Sequence, residues 1–277
     1  MIKDKLLIVR GAGDIATGII HRLAKSGFQV LALESEHPSA IRRKVAFSEA
    51  VYEGSTRVEG MTAVLIGKDK TSEKESWETI WREAEDAWKA GKVPVLVDPK
   101  GISITKFHPD IVIDAILAKK NLGTKRDMAP LTIALGPGFE AGKDVDAVIE
   151  TMRGHNLGRI IYQGCAMPNT GIPGVIAGYG KERVIRSEAE GKLRALSDIG
   201  DLVSQGQVIA TVGDIQIRAS LTGILRGIIR DGYPVTRGFK VADIDPRQSE
   251  YANCFTISDK ARCIAGSVLE EVCRCCL

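Results

Sequence analysis

A glycine-rich turn near the N-terminus constrains the fold of this 277-residue chain more than any other feature. The segment LLIVRGAGDIATGIIHRLAKSGFQVLALE reads as a strand, a turn, a helix and a second strand. The continuous apolar run at residues 6–9 is typical of a parallel strand covered on both faces. After the turn, Ile15, Ile19 and Leu23 recur at helical spacing, and Gly27 ends the helix. The pattern predicts a βαβ unit.

The turn, Gly11-x-Gly13-x-x-Ala16, has the spacing of a dinucleotide-binding fingerprint. Gly11 permits a tight turn, Gly13 leaves room for a pyrophosphate, and Ala16 lets the helix pack closely on the strand. Glu34 lies about 20 residues further on, where an acid binds a ribose 2′-hydroxyl. The predicted site for NAD or another adenine nucleotide comprises Gly11, Ala12, Gly13, Asp14, Ile15, Ala16, Gly18, Glu34, Arg42 and Arg43. The alternative is a βαβ unit that keeps the turn and binds no ligand.

Arg42 and Arg43 bear on the choice of nucleotide. They follow the second strand, where an arginine can hold a ribose 2′-phosphate or another anion. Glu34 would repel a 2′-phosphate, so the sequence favours NAD over NADP. The alternative is that the basic pair belongs to a solvated loop.

The following segments repeat the alternation of strand and helix. Apolar runs predict strands at residues 63–66, 93–98, 110–115 and 131–135, and a capping box of Ser72 with Glu75 predicts a helix that ends near Ala90. Asp98 and Asp114 end two of these strands, where ligands bind in open parallel sheets, so both are secondary site candidates. We favour Asp114 as the cap of a helix over residues 115–121. Residues 1–160 are therefore predicted to form an α/β Rossmann-like parallel-sheet domain.

From residue 181 onwards the glycines become regular. An offset of 32 residues aligns Gly191 with Gly223 and Gly200 with Gly232, which indicates two copies of one β unit. The two halves resemble a biotinyl/lipoyl-like barrel-sandwich hybrid, yet no lysine occurs between Lys192 and Lys240 to carry the cofactor. We predict an all-β barrel-sandwich hybrid without an attachment lysine over residues 181–247. A Pro/Gly-rich connecting loop over residues 161–180 precedes it, and a C-terminal helical segment over residues 248–277 follows it.

Cys165 is the one cysteine near a candidate site, because it stands beside the Pro/Gly-rich loop. A thiolate there could carry sulfur or selenium, which makes Cys165 a weak catalytic candidate, whereas the alternative is a small core cysteine. The catalytic residues are otherwise unknown. Only Cys273 and Cys276 have CxxC spacing, with no second pair of ligands near them in the sequence, and the four histidines lack ligand spacing, so no metal site is predicted.

Charge and hydropathy exclude several classes of protein. Thirty-eight basic and 35 acidic residues leave a net charge of +3, which is too balanced for a nucleic-acid binder. The apolar stretches are shorter than a membrane span, and the N-terminus does not read as a signal peptide. We expect a soluble, cytoplasmic protein without nucleic-acid or membrane partners. Its oligomeric state does not follow from the sequence.

Four segments resemble the YqeB family over nearly the whole chain: VRGAGDIATGIIHRLAKSGF, AIRRKVAFSEAVYEG, DIVIDAILAKKN and GCAMPNTGIPG. The resemblance implies an accessory protein of selenium-dependent molybdenum hydroxylases. Such a protein would be a maturation factor that binds a nucleotide at residues 11–18 and 34 and assists selenium or molybdenum-cofactor loading. Its partner would be the hydroxylase or its cofactor. The alternative is an NAD-dependent oxidoreductase acting on a small molecule, which the lack of a Tyr-x-x-x-Lys pair or a spaced His/Asp pair disfavours.

Overall fold

A computed structural model describes residues 5–67, 76–171 and 174–276 of the chain. Its contacts divide the chain into two units. The first unit comprises Met1–Pro38, Ala46–Asn169 and Ile257–Leu277, and the second comprises Ser39–Val45 and Thr170–Thr256. The C-terminal helix therefore belongs to the same unit as the glycine turn.

The first unit contains eleven strands and five helices within the described residues. The strands are β1 (Leu6–Arg10), β2 (Gln29–Glu34), β3 (Ser55–Val58), β4 (Met61–Ile66), β5 (Val93–Val97), β6 (Ile111–Asp114), β7 (Leu131–Leu135), β8 (Glu140–Ala141), β9 (Ala147–Ile149), β10 (Ile160–Ile161) and β11 (Gly164–Cys165). The helices are α1 (Asp14–Lys25), α2 (Ala50–Glu53), α3 (Trp77–Lys89), α4 (Ile102–Phe107) and α5 (Asp259–Cys276).

Nine of these strands form one sheet in the order β10-β9-β7-β6-β1-β2-β5-β4-β3. Its seven inner strands are parallel, and β3 and β10 at its edges are antiparallel to their neighbours. The chain order reverses at β1, which pairs with β2 on one side and with β6 on the other. In an open α/β sheet this reversal point, at the carboxyl ends of the strands, is where ligands bind.

The second unit contains eight strands in two antiparallel sheets. The strands are β12 (Val184–Arg186), β13 (Gly191–Ala195), β14 (Leu202–Val203), β15 (Val208–Val212), β16 (Ile215–Arg218), β17 (Gly223–Ile228), β18 (Pro234–Val235) and β19 (Lys240–Asp245). One sheet has the order β12-β19-β17-β14, and the other has the order β16-β15-β13-β18. The two copies of the 32-residue repeat exchange their short strands, because β14 pairs with β17 and β18 pairs with β13.

The predicted fold class, a Rossmann-like parallel sheet with a biotinyl/lipoyl-like barrel-sandwich hybrid, is wrong. The large sheet is mixed, and the repeat builds two separate antiparallel sheets. Unbroken apolar runs in the sequence identify the buried inner strands. The antiparallel edge strands β3 and β10 are short and partly exposed, so no pattern in the sequence shows that they run antiparallel to their neighbours.

Two predicted helices differ from the structure. The helix that begins with a capping box is α3, whose N-cap is Ser76, and the Ser76 hydroxyl accepts a hydrogen bond from the Thr79 N–H at 3.2 Å. The predicted box, Ser72 with Glu75, lies outside the described residues. The helix predicted over residues 115–121 is absent from this described stretch, because Leu117 and Lys119 adopt positive φ angles of 59° and 63°.

Helices α1 and α5 pack against each other and run in the same direction. Gly18 of α1 faces Ala261 of α5, and four residues on, Arg22 faces Gly266. A Cβ atom at Gly18 would lie only 2.8 Å from the Cβ of Ala261, so the absence of a side chain at Gly18 permits this close approach. The first turns of both helices consequently lie near the carboxyl end of β1. None of the helices in the described ranges is long and apolar enough to cross a membrane.

Candidate functional site

The first residue of the glycine turn after β1 has a backbone conformation and a packing environment that only glycine fits. Gly11 has a φ of +98°, and its N–H donates to the carbonyl of Leu33 at 2.7 Å. A Cβ there would lie 3.0 Å from the carbonyl oxygen of Ala115. At Gly13 the situation is reversed, because a Cβ would meet no atom of the described residues within 4 Å. The turn is thus rigid at Gly11 and opens onto free space at Gly13.

Three groups hold Ala12, the residue between these glycines. Its N–H donates to Oε2 of Glu34 at 2.9 Å. Its carbonyl accepts from the Ser48 N–H at 2.8 Å and from the Thr17 hydroxyl at 3.1 Å. The carboxylate of Glu34 therefore closes the turn, in addition to any role in binding a ribose. Ser48 was not predicted from the sequence, and Thr17 was included only through the range 11–18 that the resemblance implies.

Helix α1 begins directly after the turn with Gly13 as its N-cap and no side-chain cap. The Asp14 carboxylate accepts a hydrogen bond from the Ile15 N–H at 2.9 Å. The helix dipole makes this end electropositive, and the charge of Asp14 offsets part of that potential. The side chains of Ile15 and Ala16 are buried, so these two residues present only backbone to the turn.

A buried ion pair lies beneath the turn. Arg10 ends β1 and Asp114 ends β6, and the two residues are paired in the sheet. An Nη1 atom of Arg10 lies 3.8 Å from Oδ2 of Asp114, with both side chains 3% exposed, and Thr124 hydrogen-bonds to both. Burial is the main influence on Asp114 and raises the pKa of its carboxyl, while Thr124 and Arg10 act in the opposite direction.

Both secondary candidates have a role in the local structure. Asp114 accepts from the Ile116 N–H at 3.1 Å and caps no helix, so that expectation was wrong. Asp98 accepts from the backbone N–H groups of Ile102 and Ser103 at 3.0 and 2.7 Å, and it thereby holds the first turn of α4. These carboxylates stabilise the loops at the carboxyl edge of the sheet.

Helix α5 places a lysine near this edge. Lys260, in the first turn of α5, is affected by the charges of Asp14, Glu150 and Arg153. Burial lowers the pKa of its ammonium group, Arg153 lowers it further, and the carboxylates partly compensate. The carboxylate of Glu150 accepts from the N–H groups of Met152 and Met167, each at 2.7 Å. Sequence reasoning missed Lys260, because nothing in the local pattern relates α5 to the glycine turn.

Two buried hydroxyls at this edge lack hydrogen-bond partners within the part of the chain that the structure describes: those of Ser48 and Ser103. Both residues are 0% exposed. The backbone N–H of Ser48 donates to the carbonyl of Ala12, so the backbone of Ser48 lies next to the glycine turn. A buried hydroxyl without a partner costs roughly 1–3 kcal/mol of stability.

Some of the predicted site residues have other roles in the structure. Arg42 and Arg43 belong to the second unit, whereas Glu34 belongs to the first. Arg42 donates to the carbonyls of Asn253 and Thr256, each at 3.0 Å, and Arg43 donates to the carbonyl of Ile228 and to Asp198. Gly18 lies against α5 rather than in the turn.

Cys165 is exposed and lies in β11, opposite Glu140 of β8. The Nζ atom of Lys143 lies 3.1 Å from a carboxylate oxygen of Glu140. In the Pro/Gly-rich loop that follows, Ile172 and Pro173 lie outside the described residues. Across the described ranges, no three His, Cys, Asp or Glu side chains are grouped to hold a metal ion.

One curated protein supports the YqeB-like relationship. The chain is 52% identical to the uncharacterized protein YqeB of Escherichia coli strain K12 over 268 residues. The match covers 97% of this chain but 47% of that protein, so the chain spans about half the length of its relative. No protein-family model matches the chain.

Solved structures give only distant likenesses. They include the ectoine utilization protein EutE (DoeB) of Ruegeria pomeroyi and an aspartoacylase family protein of Mesorhizobium loti, each 14% identical, with TM-scores of 0.25 and 0.27. A succinylglutamate desuccinylase of Silicibacter sp. is 13% identical with a TM-score of 0.24. Each alignment covers 87% of this chain and 84% of the other. With TM-scores this low, these likenesses carry no conclusion about the fold or the function of the chain.

Proposed function

We propose that the chain binds an adenine nucleotide with an unmodified ribose, NAD or a related molecule, at the glycine turn. The observation that carries the proposal is the open space at Gly13, at the point where the strand order reverses. A pyrophosphate can approach the backbone there because no Cβ intervenes, and the first turn of α1 offers backbone N–H groups.

Glu34 favours a ribose with free hydroxyls. Its two oxygens already accept three hydrogen bonds, from the N–H groups of Ala12 and Ser35 and from the Ser35 hydroxyl. A carboxylate can accept about four hydrogen bonds, so it retains capacity for a ribose hydroxyl. A 2′-phosphate in the same place would be repelled, and Arg42 and Arg43 are engaged within the second unit. NAD, ADP and AMP therefore fit this turn better than NADP.

A thermal-shift panel tests nucleotide binding. We expect NAD or ADP to raise the melting temperature at millimolar concentration, because a ligand that binds only the native state stabilises it. NADP should have a smaller effect. Glu34→Gln keeps the hydrogen-bond acceptor but not the charge, and it should reduce the preference for NAD over NADP. Glu36→Gln, two residues on, is the matched control, and an equal change in both variants would contradict the role of Glu34.

We further propose that nucleotide binding serves the maturation of a selenium-dependent molybdenum hydroxylase. The support is the resemblance to the YqeB family and the 52% identity to YqeB over nearly the whole chain. The protein would assist selenium or molybdenum-cofactor loading of its partner. Cys165 is exposed, so its thiol is accessible to a group that carries selenium or sulfur.

Deletion of the gene tests this role. We expect the hydroxylase polypeptide at normal abundance but with low activity and low selenium content. Complementation with Cys165→Ser tests the thiol, and Cys263→Ser, which alters another exposed cysteine, is the control. A deletion strain with fully active, selenium-replete hydroxylase would refute the maturation role. Nucleotide binding would then favour the alternative of an NAD-dependent oxidoreductase.

A further inference from the structure

We infer that Lys260 of α5 binds the phosphate groups of the nucleotide at the glycine turn, so that the last helix completes the site. This inference rests on the proposed nucleotide binding and assigns the group that neutralises the ligand. The ligand class is an adenosine carrying at least two phosphates.

The first step is the packing of the helices. Gly18 and Ala261 are in contact, and Arg22 and Gly266 follow them in the same direction. Helices α1 and α5 are therefore parallel, and their N-terminal turns lie side by side. Lys260 is the second residue of α5, and Asp14 is the first residue of α1. The charge of Asp14 acts on Lys260, in agreement with this placement.

The second step is the electrostatic requirement of the turn. The first turn of α1 carries the Asp14 carboxylate, which accepts the N–H of Ile15 and opposes the binding of an anion. A diphosphate beside Asp14 therefore needs a cation. The nearby guanidinium of Arg153 already donates two hydrogen bonds to the carboxylate of Asp259, at 2.7 and 2.8 Å.

Lys260 differs from Arg153 in this respect. Within the described part of the chain its ammonium has no hydrogen bond and no ion pair, although it is partly buried. Burial without a direct partner disfavours the charged ammonium, and a phosphate oxygen would supply the missing partner. The space at Gly13, where an added Cβ would meet no atom of the described residues within 4 Å, leaves room for that phosphate at the start of α1.

Calorimetric titration with adenosine, AMP and ADP tests the inference. Lys260→Met removes the charge and keeps the apolar stem. We expect it to weaken ADP binding by about ten- to a hundredfold, the usual effect of losing one charged hydrogen bond, and to leave adenosine binding unchanged. Lys260→Arg should restore most of the ADP affinity. Arg262→Met, which removes an exposed positive charge on the same helix, is the control.

The outcomes separate this inference from the proposed function. If the wild type binds none of the three compounds, the nucleotide site itself is refuted. If the wild type binds ADP and Lys260→Met binds it equally well, the assignment of Lys260 is wrong and the nucleotide site stands. An equal loss for adenosine and ADP, in a variant that melts normally, would also overturn the assignment to the phosphates.

Discussion

The contact between α1 and α5 makes a quantitative prediction. Gly18→Ala places a methyl group 2.8 Å from the Cβ of Ala261, 3.1 Å from Cγ2 of Ile257 and 3.3 Å from the backbone carbon of Ala261. Non-bonded carbon atoms prefer about 3.5–4.0 Å, so the helices must separate. Overpacking of this kind costs about 1–3 kcal/mol, and the better helix propensity of alanine returns about 1 kcal/mol. We expect a net destabilisation of about 1 kcal/mol.

The second substitution, Ala261→Gly, removes the nearest atom of this clash. Alone it should cost about 1 kcal/mol through lower helix propensity. In the double variant it relieves the 2.8 Å contact, although the contacts to Ile257 and to the backbone remain. We therefore expect the double variant to be more stable than the sum of the single effects by about 1–2 kcal/mol, since neighbouring sites couple by such amounts.

Urea denaturation followed by tryptophan fluorescence measures this coupling. All three tryptophans, Trp77, Trp81 and Trp88, lie in the first unit, so the signal reports on the unit that contains α1 and α5. The change in unfolding free energy follows from the midpoint at constant slope. If the two substitutions add within about 0.5 kcal/mol, the contact is absent and Lys260 is not beside the glycine turn.

Three further predictions concern the first unit and the repeat. Arg10→Gln leaves the buried Asp114 without its charged partner and should lower the free energy of unfolding by about 3–5 kcal/mol. Lys5→Gln breaks the half-exposed pair with Asp110 and should cost about 1 kcal/mol or less. Equal losses of the two variants in urea denaturation would contradict the difference in burial. Lys260→Met should be more stable than the wild type at pH 7, because burial and the charge of Arg153 lower the pKa of Lys260, although Asp14, Glu150 and Asp259 oppose this shift. The unfolded state then binds more protons than the folded state, so the stability of the wild type relative to the variant should increase as the pH rises towards about 10. A stability difference that does not depend on pH would contradict this direction of the pKa shift. The lysine-free segment between Lys192 and Lys240 should carry no covalent cofactor, so the intact mass of protein from its own cells should show no added biotinyl or lipoyl group.

The inner strands and the glycine turn could be predicted from the sequence because their signals are local. Buried strands such as β1 and β7 are unbroken apolar runs, and the turn is marked by Gly11 and Gly13. The short edge strands β3 and β10 have no such run, so a parallel sheet was predicted where the sheet is mixed. The sheet order therefore depends on pairings that local patterns do not encode.

The contacts of the site were harder to predict because they join distant segments. Thr17 and Ser48 come from different segments and both donate to the carbonyl of Ala12, and Lys260 belongs to the same unit as the turn because α5 returns to the first unit. Conversely, Arg42 and Arg43 follow β2 directly, yet residues Ser39–Val45 belong to the second unit. One signal was available: Arg10 and Asp114 are charged residues at the ends of two buried strands, and burial of such residues requires that they pair.

Calorimetric titration of the wild type and Gly13→Val with NAD tests the central claim most directly. A valine at Gly13 projects into the space assigned to the pyrophosphate, and because that space is open its effect on the free energy of unfolding should stay within about 1 kcal/mol. We predict saturable binding of one NAD to the wild type below millimolar concentration and none to Gly13→Val, with melting temperatures that stay close. Absence of binding to the wild type, or equal binding to both proteins, would contradict a nucleotide site at the glycine turn.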